Sequence, residues 1–178
     1  MGKISYSKLK LKINNNINTI SYTIDNDEYT IEVKQYLPFE EKVSILEKVI
    51  NLSKDEMHFY NTSKLNMFLD LQLVEKYTNI TFSDSNKENF IKTYDELLSS
   101  GLIKLIKDHI PSEELTWLET NLYETVNSIY KYNNSIYGIM NTITADYSKL
   151  GGELAEMQEK ISNPENFGLL KDVLTKLG

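Results

Sequence analysis

Apolar residues recur along the second half of the chain with the spacing of one long helix. Successive members of this stripe lie three or four residues apart, as in a heptad seam with one stutter near Leu122. Only Gly138 weakens the pattern, which therefore predicts a single helix over residues 112–150. A helix of about 36 residues is roughly 54 Å long, so it must lie along a partner helix or project and meet other subunits. The stripe consists of Leu115, Leu118, Leu122, Val126, Ile129, Asn133, Ile136, Met140, Ile143, Tyr147 and Leu150.

The first 37 residues instead alternate between apolar and polar side chains, which is the period of a half-buried β-strand. Turn residues at 14–16 and 25–27 divide this region into three strands. Residues 1–37 are therefore predicted to form a small antiparallel β meander. Because so small a sheet is marginal alone, a helix or another subunit must cover its apolar face. That face would carry Leu9, Leu11, Ile13, Ile20, Tyr22, Ile24, Tyr29, Ile31 and Val33.

After Pro38 the apolar residues change to helical spacing, which predicts a mainly α fold. Pro38 and the acidic pair after it begin a first helix, and Ser63 is placed to cap a second. A proline and a glutamate begin a last helix over residues 164–177. The chain thus divides into a β-led part, residues 1–37, and a helical body, residues 38–178, although the change at Pro38 need not separate two domains.

The amino-acid composition and the net charge exclude several kinds of site and partner. The chain has no cysteine, which excludes disulfides, thiolate nucleophiles and cysteine metal sites. All 19 basic residues are lysine and the net charge is −7, so sequence-specific nucleic-acid binding is not expected. No apolar stretch has the length of a signal peptide or a membrane span, so we expect a cytoplasmic protein with no membrane contact. Abundant lysine, asparagine, isoleucine and tyrosine indicate an AT-rich genome.

The residues that could carry chemistry are few. His109 follows an aspartate near a helix end, where a basic side chain favours the helix dipole, and His58 lies beside acidic residues that give too few metal ligands. Residues 84–89 resemble a calcium loop loosely, but Asp84 or Ser85 capping a helix explains them better. We therefore expect no catalytic residue, no cofactor and no metal, and hence no enzyme.

Tyrosines flank the apolar stripe. Tyr123, Tyr130 and Tyr137 recur at a seven-residue spacing, and tyrosine is enriched at protein interfaces. Two interpretations remain open: the tyrosines bind another subunit, or they pack on the chain's own N-terminal helices. Asn133, on the stripe, either sets the register of a helix pair or is simply exposed. The candidate interface consists of Tyr123, Ile129, Tyr130, Asn133, Ile136, Tyr137, Met140 and Ile143.

Three segments resemble uncharacterised proteins of tailed phages that infect low-GC Gram-positive bacteria. They are YDELLSSGL at residues 94–102, IYKYNNSI at 129–136 and LLKDVLTKLG at 169–178. No segment contains a chemical motif, so the resemblance indicates a source and carries over no functional residue. It implies a virion or morphogenesis protein, such as a tail or head component or a tail assembly chaperone.

Two functions of different class follow. The first is a phage structural or morphogenesis protein that forms a homo-oligomer, binds other virion or assembly proteins, and acts in the host cytoplasm or in the virion. The second is an acidic inhibitor of a host defence nuclease, which the net charge of −7 motivates. Acidic residues scattered among lysines count against the second function, since a nucleic-acid mimic needs a coherent acidic stripe.

Overall fold

The computed structural model describes residues 5–55 and 59–162, and within them the fold is mainly helical with one small antiparallel sheet. The chain divides into two compact units, Met1–Val126 and Asn127–Gly178. His58 and the predicted helix over residues 164–177 lie outside the described residues.

The sheet is a two-stranded hairpin. Strand β1, Ile17–Ile24, pairs with β2, Asp27–Lys34, in a register that places Ile20 opposite Ile31. Asp25 and Asn26 form the two-residue turn with φ of 50° and 72°, a conformation that aspartate and asparagine tolerate and that matches the twist of a hairpin.

The prediction of a first strand, at residues 8–13, is wrong. The chain forms a 3-10 helix at Tyr6–Leu9, and Lys10 follows in the left-handed conformation with φ of 48°. Leu9, Leu11 and Ile13 keep the alternating pattern but are 51–67% exposed. Alternation makes a segment suitable for a sheet, but a strand forms only where a neighbouring strand supplies hydrogen bonds.

Five helices complete the first unit up to residue 107: α1, Phe39–Ser53; α2, Thr62–Tyr77; α3, Asp84–Glu88; α4, Phe90–Ser99; and α5, Leu102–Lys107. Helix α2 is buried on nearly all sides, as expected of a helix that is apolar around much of its circumference. Its cap is Asn61 rather than Ser63, because Asn61 Oδ1 accepts a hydrogen bond from the Lys64 N–H at 3.2 Å. The apolar face of the hairpin joins this core through Ile20, Ile31 and Val33.

The single helix predicted over residues 112–150 is also wrong. Helix α6, Ser112–Asn133, ends inside this range, and α7, Ile136–Ser162, begins after two intervening residues. Side chains at the break form hydrogen bonds with the backbone groups at the two helix ends. Ser135 Oγ donates to the Tyr132 carbonyl at 2.6 Å and accepts from the Gly138 N–H at 3.1 Å. Asn134 Nδ2 likewise donates to the Tyr130 carbonyl at 2.8 Å. Serine and asparagine thus end one helix and start the next.

Glycine is required close to this break. A Cβ atom on Gly138 would lie 2.2 Å from the carbonyl oxygen of Tyr132, which no real contact allows. The first turn of α7 can therefore approach the last turn of α6 closely only because residue 138 is glycine, which has no Cβ atom. Further along, Gly151 and Gly152 lie inside α7 and do not interrupt it.

Candidate protein-protein interface

The apolar stripe has two different environments in the two units. In the first unit Leu118 and Leu122 are fully buried, and Leu115 and Val126 pack against the same core. This part of α6 therefore stabilises the fold of the first unit. Tyr123 also belongs there, since its hydroxyl donates to Asn66 Oδ1 of α2 while its side chain stays partly exposed.

In the second unit the apolar side chains are exposed. Ile129 is half-buried and Asn133 is exposed at the end of α6. Beyond the break, exposure is 76% for Ile136, 60% for Met140 and 49% for Ile143. On α7 this apolar face continues past Ile143, the last residue of the candidate interface, through the rest of the stripe to Leu154. We call it the α7 face; it consists of Ile136, Met140, Ile143, Tyr147, Leu150 and Leu154.

The α7 face keeps the period of a coiled-coil seam. Its members are separated by alternating steps of four and three residues along a continuous helix. Tyr137 is 78% exposed and lies next to Ile136, at the edge of the face, and Ile139 adds a further exposed isoleucine. The sequence contained this signal, because Tyr147 and Leu150 already lay on the stripe.

Charge is nearly absent around the break. Lys131 is the single charged residue between positions 127 and 145. The hydroxyl groups of Thr142 and Thr144 donate to carbonyls of their own helix, at 3.0 Å to Gly138 and 2.8 Å to Met140. Depletion of charge around exposed apolar and aromatic side chains is the compositional mark of the centre of an interface.

Tyrosine hydroxyls in the second unit differ in their hydrogen bonding. Tyr132 accepts a hydrogen bond from Asn141 Nδ2 at 2.7 Å, which links the two sides of the break. Tyr130 and Tyr137 have no hydrogen-bond partner among the described residues, and both rings are more than half exposed. These two side chains offer large contact area together with a free polar group.

A buried charged cluster lies at the start of α6 in the first unit. Glu114 Oε1 accepts from Lys42 Nζ at 2.6 Å, and Glu114 Oε2 accepts from the Tyr77 hydroxyl at 2.8 Å and the Leu37 N–H at 3.3 Å. Burial, followed by the hydrogen bond to Glu114, raises the pKa of Tyr77 far above its usual value. Both carboxylate oxygens are engaged within the fold, so the cluster anchors α6 to α1, to α2 and to the loop between β2 and α1, and is not an open reaction site.

An apolar groove of about 320 Å³ also lies in the first unit. Phe68 of α2 and Phe90 of α4 line it with ring centroids 5.1 Å apart. At its edge Lys48 pairs with Glu75 at 3.1 Å, which joins α1 to α2. Burial raises the pKa of Glu75, but hydrogen bonds from Lys48 and Gln72 outweigh that effect and hold the pKa below its usual value.

Candidate metal ligands do not come together in the described part of the chain. No group of three histidine, cysteine or acidic side chains there could hold a metal ion. His109 follows the end of α5, and its Nδ1 lies 2.8 Å from the Leu105 carbonyl of that helix. Residues 84–88 form α3, capped by Ser83, whose hydroxyl accepts from the Asn86 N–H.

No family model, curated protein or solved structure matches the chain. Within the described ranges, no helix is long and apolar enough to cross a membrane.

Proposed function

We propose that the chain is a structural or morphogenesis protein of a tailed phage, and that it acts through contacts among several subunits. The specific roles that this proposal covers are those of a tail or head component and of a tail assembly chaperone. The observation that carries the proposal is the α7 face, a row of six large apolar side chains that the described chain leaves exposed. The phage source is supported by the three resembling segments and by the AT-rich composition.

The size of the α7 face favours a protein partner. Burying a side chain of this kind removes about 100 Å² of apolar surface from water, so six side chains provide roughly 600 Å² on one helix. Two such surfaces together reach about 1,200 Å², the lower limit of stable interfaces. A seam with alternating steps of four and three residues fits a second helix of the same period, so a copy of the same chain is a suitable partner.

The role is non-catalytic in this proposal. One buried carboxylate among the described residues, that of Glu114, holds the fold together with its partners Lys42 and Tyr77. Several exposed acidic side chains pair with lysines, as in Glu96 with Lys92 at 3.7 Å. Such pairs divide the acidic surface, which weighs against the nuclease inhibitor, since a nucleic-acid mimic needs an unbroken row of negative charge.

Sedimentation velocity over a range of concentrations tests the proposal. Wild type should sediment as an oligomer, and Ile136→Asp should dissociate it, because the aspartate would be a desolvated, unpaired charge in the contact. Ile91→Asp is the matched control, since Ile91 is 61% exposed on α4 in the first unit and Ile136 is 76% exposed. Ile91→Asp should stay oligomeric. A wild type that is monomeric at every concentration, and absent from virions, would overturn the proposal and favour the inhibitor.

A further inference from the structure

One edge of the hairpin is open. Gln35 N–H donates to the Asn16 carbonyl at 3.0 Å, which marks these two residues as a hydrogen-bonded pair. Because such pairs alternate along an antiparallel ladder, the backbone groups of every second β1 residue point away from β2. We call these groups the β1 edge; they belong to Ile17, Thr19, Ser21 and Thr23. No hydrogen bond from the described residues reaches them.

The opposite edge of the hairpin is covered. The Glu32 N–H of β2 donates to Asn79 Oδ1 at 3.1 Å, and Asn79 Nδ2 donates to the Thr30 carbonyl at 3.3 Å. Val33 also forms a β-bridge with Thr78. The chain thus protects the β2 side with its own backbone and side chains. An open, unprotected edge on the β1 side is a template for pairing with another strand.

The same unit carries a segment that has the pattern of a strand but pairs with no strand among the described residues. Residues 8–13 alternate strictly between lysine and an aliphatic residue, and Leu9, Leu11 and Ile13 are 51–67% exposed. Lys10 has φ of 48°, in the left-handed region that a lysine adopts only at an energetic cost. An extended conformation would relieve this cost.

We propose that residues 8–13 of one copy add as a strand to the β1 edge of a second copy; this inference rests on the proposed assembly function but uses a surface separate from the α7 face. The added backbone would satisfy the open groups of β1, and its aliphatic side would extend the apolar face of the hairpin. Ile24, still 47% exposed on that face, would be covered by the new strand.

The charges of the two faces agree with this placement. On the outer face, the lysines of residues 8–13 would lie beside Thr19 and Ser21, one strand away from Glu28 and Glu32 of β2. Two strand spacings separate them by about 10 Å. That separation is close to the Debye length at moderate salt, so the attraction orients the added strand more than it tightens binding.

Cysteine cross-linking between mixed chains tests the inference, because the chain has no cysteine of its own. Chains carrying Lys10→Cys would be mixed and oxidised with chains carrying Thr19→Cys, Ser21→Cys or Thr23→Cys. One of the three mixtures should form a disulfide-linked heterodimer well above the others, which also defines the register. Thr30→Cys is the matched control: it lies on the same face one strand further away, beyond the span that a disulfide can bridge.

The outcomes separate this inference from the proposed function. If no mixture exceeds the Thr30→Cys control while sedimentation shows an oligomer, the strand exchange is wrong and the assembly function stands. If the double variant Lys10→Cys with Ser21→Cys forms only an internal disulfide at high dilution, and the mixtures form none, the segment pairs with its own β1 and the inference also fails. If the heterodimer forms in Ile136→Asp chains as well, the β1 edge binds independently of the α7 face.

Discussion

Replacing Glu114 by alanine tests the buried cluster at the start of α6. The substitution leaves Lys42 with its charge buried and removes the acceptor of the Tyr77 hydroxyl and the Leu37 N–H. Removing one partner of a buried ion pair costs about 3–5 kcal/mol, because the remaining charge is desolvated without compensation. We expect the free energy of unfolding of Glu114→Ala to fall by an amount in that range.

Urea denaturation followed by circular dichroism gives the change in unfolding free energy, provided that the slope of the transition is unchanged. Glu113→Ala is the matched control, because Glu113 is the neighbouring acidic residue in the first turn of α6 and is exposed. Its loss removes a favourable interaction with the helix dipole, worth at most about 1 kcal/mol. If Glu114→Ala and Glu113→Ala lose equal stability, the cluster does not anchor the helix as described.

Three further predictions concern local structure and pH. Gly138→Ala should destabilise the second unit through a backbone clash at the helix break. Gly151→Ala has open space at its Cβ and should raise the free energy of unfolding by about 0.5–1 kcal/mol. A calorimetric scan that finds equal effects for the two variants would contradict the close approach at Gly138. Asn61→Ala should cost about 1 kcal/mol in urea while Ser63→Ala changes little, since Asn61 caps α2; the reverse order would restore the sequence prediction. The pKa of Glu75 is lower in the folded than in the unfolded protein, so the stability that its carboxylate contributes is present above about pH 4.5 and is lost as pH falls through the folded pKa. Glu75→Gln should therefore be less stable than wild type at pH 7 and closer to wild type at low pH. A difference in unfolding free energy that stays constant with pH would refute this linkage.

Local patterns in the sequence identified much of the fold. The two hairpin strands and their turn at Asp25 and Asn26 follow from alternation and from turn residues that tolerate positive φ. The change to helices after Pro38 follows from the change of period, and α1 begins at Phe39. The strand predicted at residues 8–13 is wrong, because strand formation depends on a pairing partner that alternation in the sequence does not reveal.

The helix break shows a second limit of periodicity. Asn133 and Ile136 keep the spacing of the stripe, so the apolar pattern continues unchanged across the break and does not indicate it. The break depends on hydrogen bonds from Asn134 and Ser135 to carbonyls of the preceding turn. Asparagine and serine occur widely in helices, so their presence alone does not indicate where a helix ends.

For the candidate interface, spacing indicates a face but not what covers it. Leu118 and Ile143 lie on the same predicted stripe, yet the first is fully buried in the core and the second is half exposed. The sequence pattern did not indicate the Glu114 cluster at all. Its members lie in the loop after β2, in α1, in α2 and in α6, and the partners are 37 to 77 positions away from Glu114 along the chain. Contacts at such separations leave no local signal in a single sequence.

In the proposed assembly, association buries the α7 face, and the reactivity of single cysteines with a maleimide measures this burial directly. Ile143→Cys places a thiol on that face, and Lys149→Cys places one on the same helix outside that face, where the lysine side chain is 79% exposed. Both thiols should react with a maleimide at similar rates in dilute protein. At concentrations where the protein is oligomeric, we expect the thiol of Ile143→Cys to become protected and that of Lys149→Cys to stay reactive. Equal reactivity of both positions in the oligomer would contradict the proposed burial.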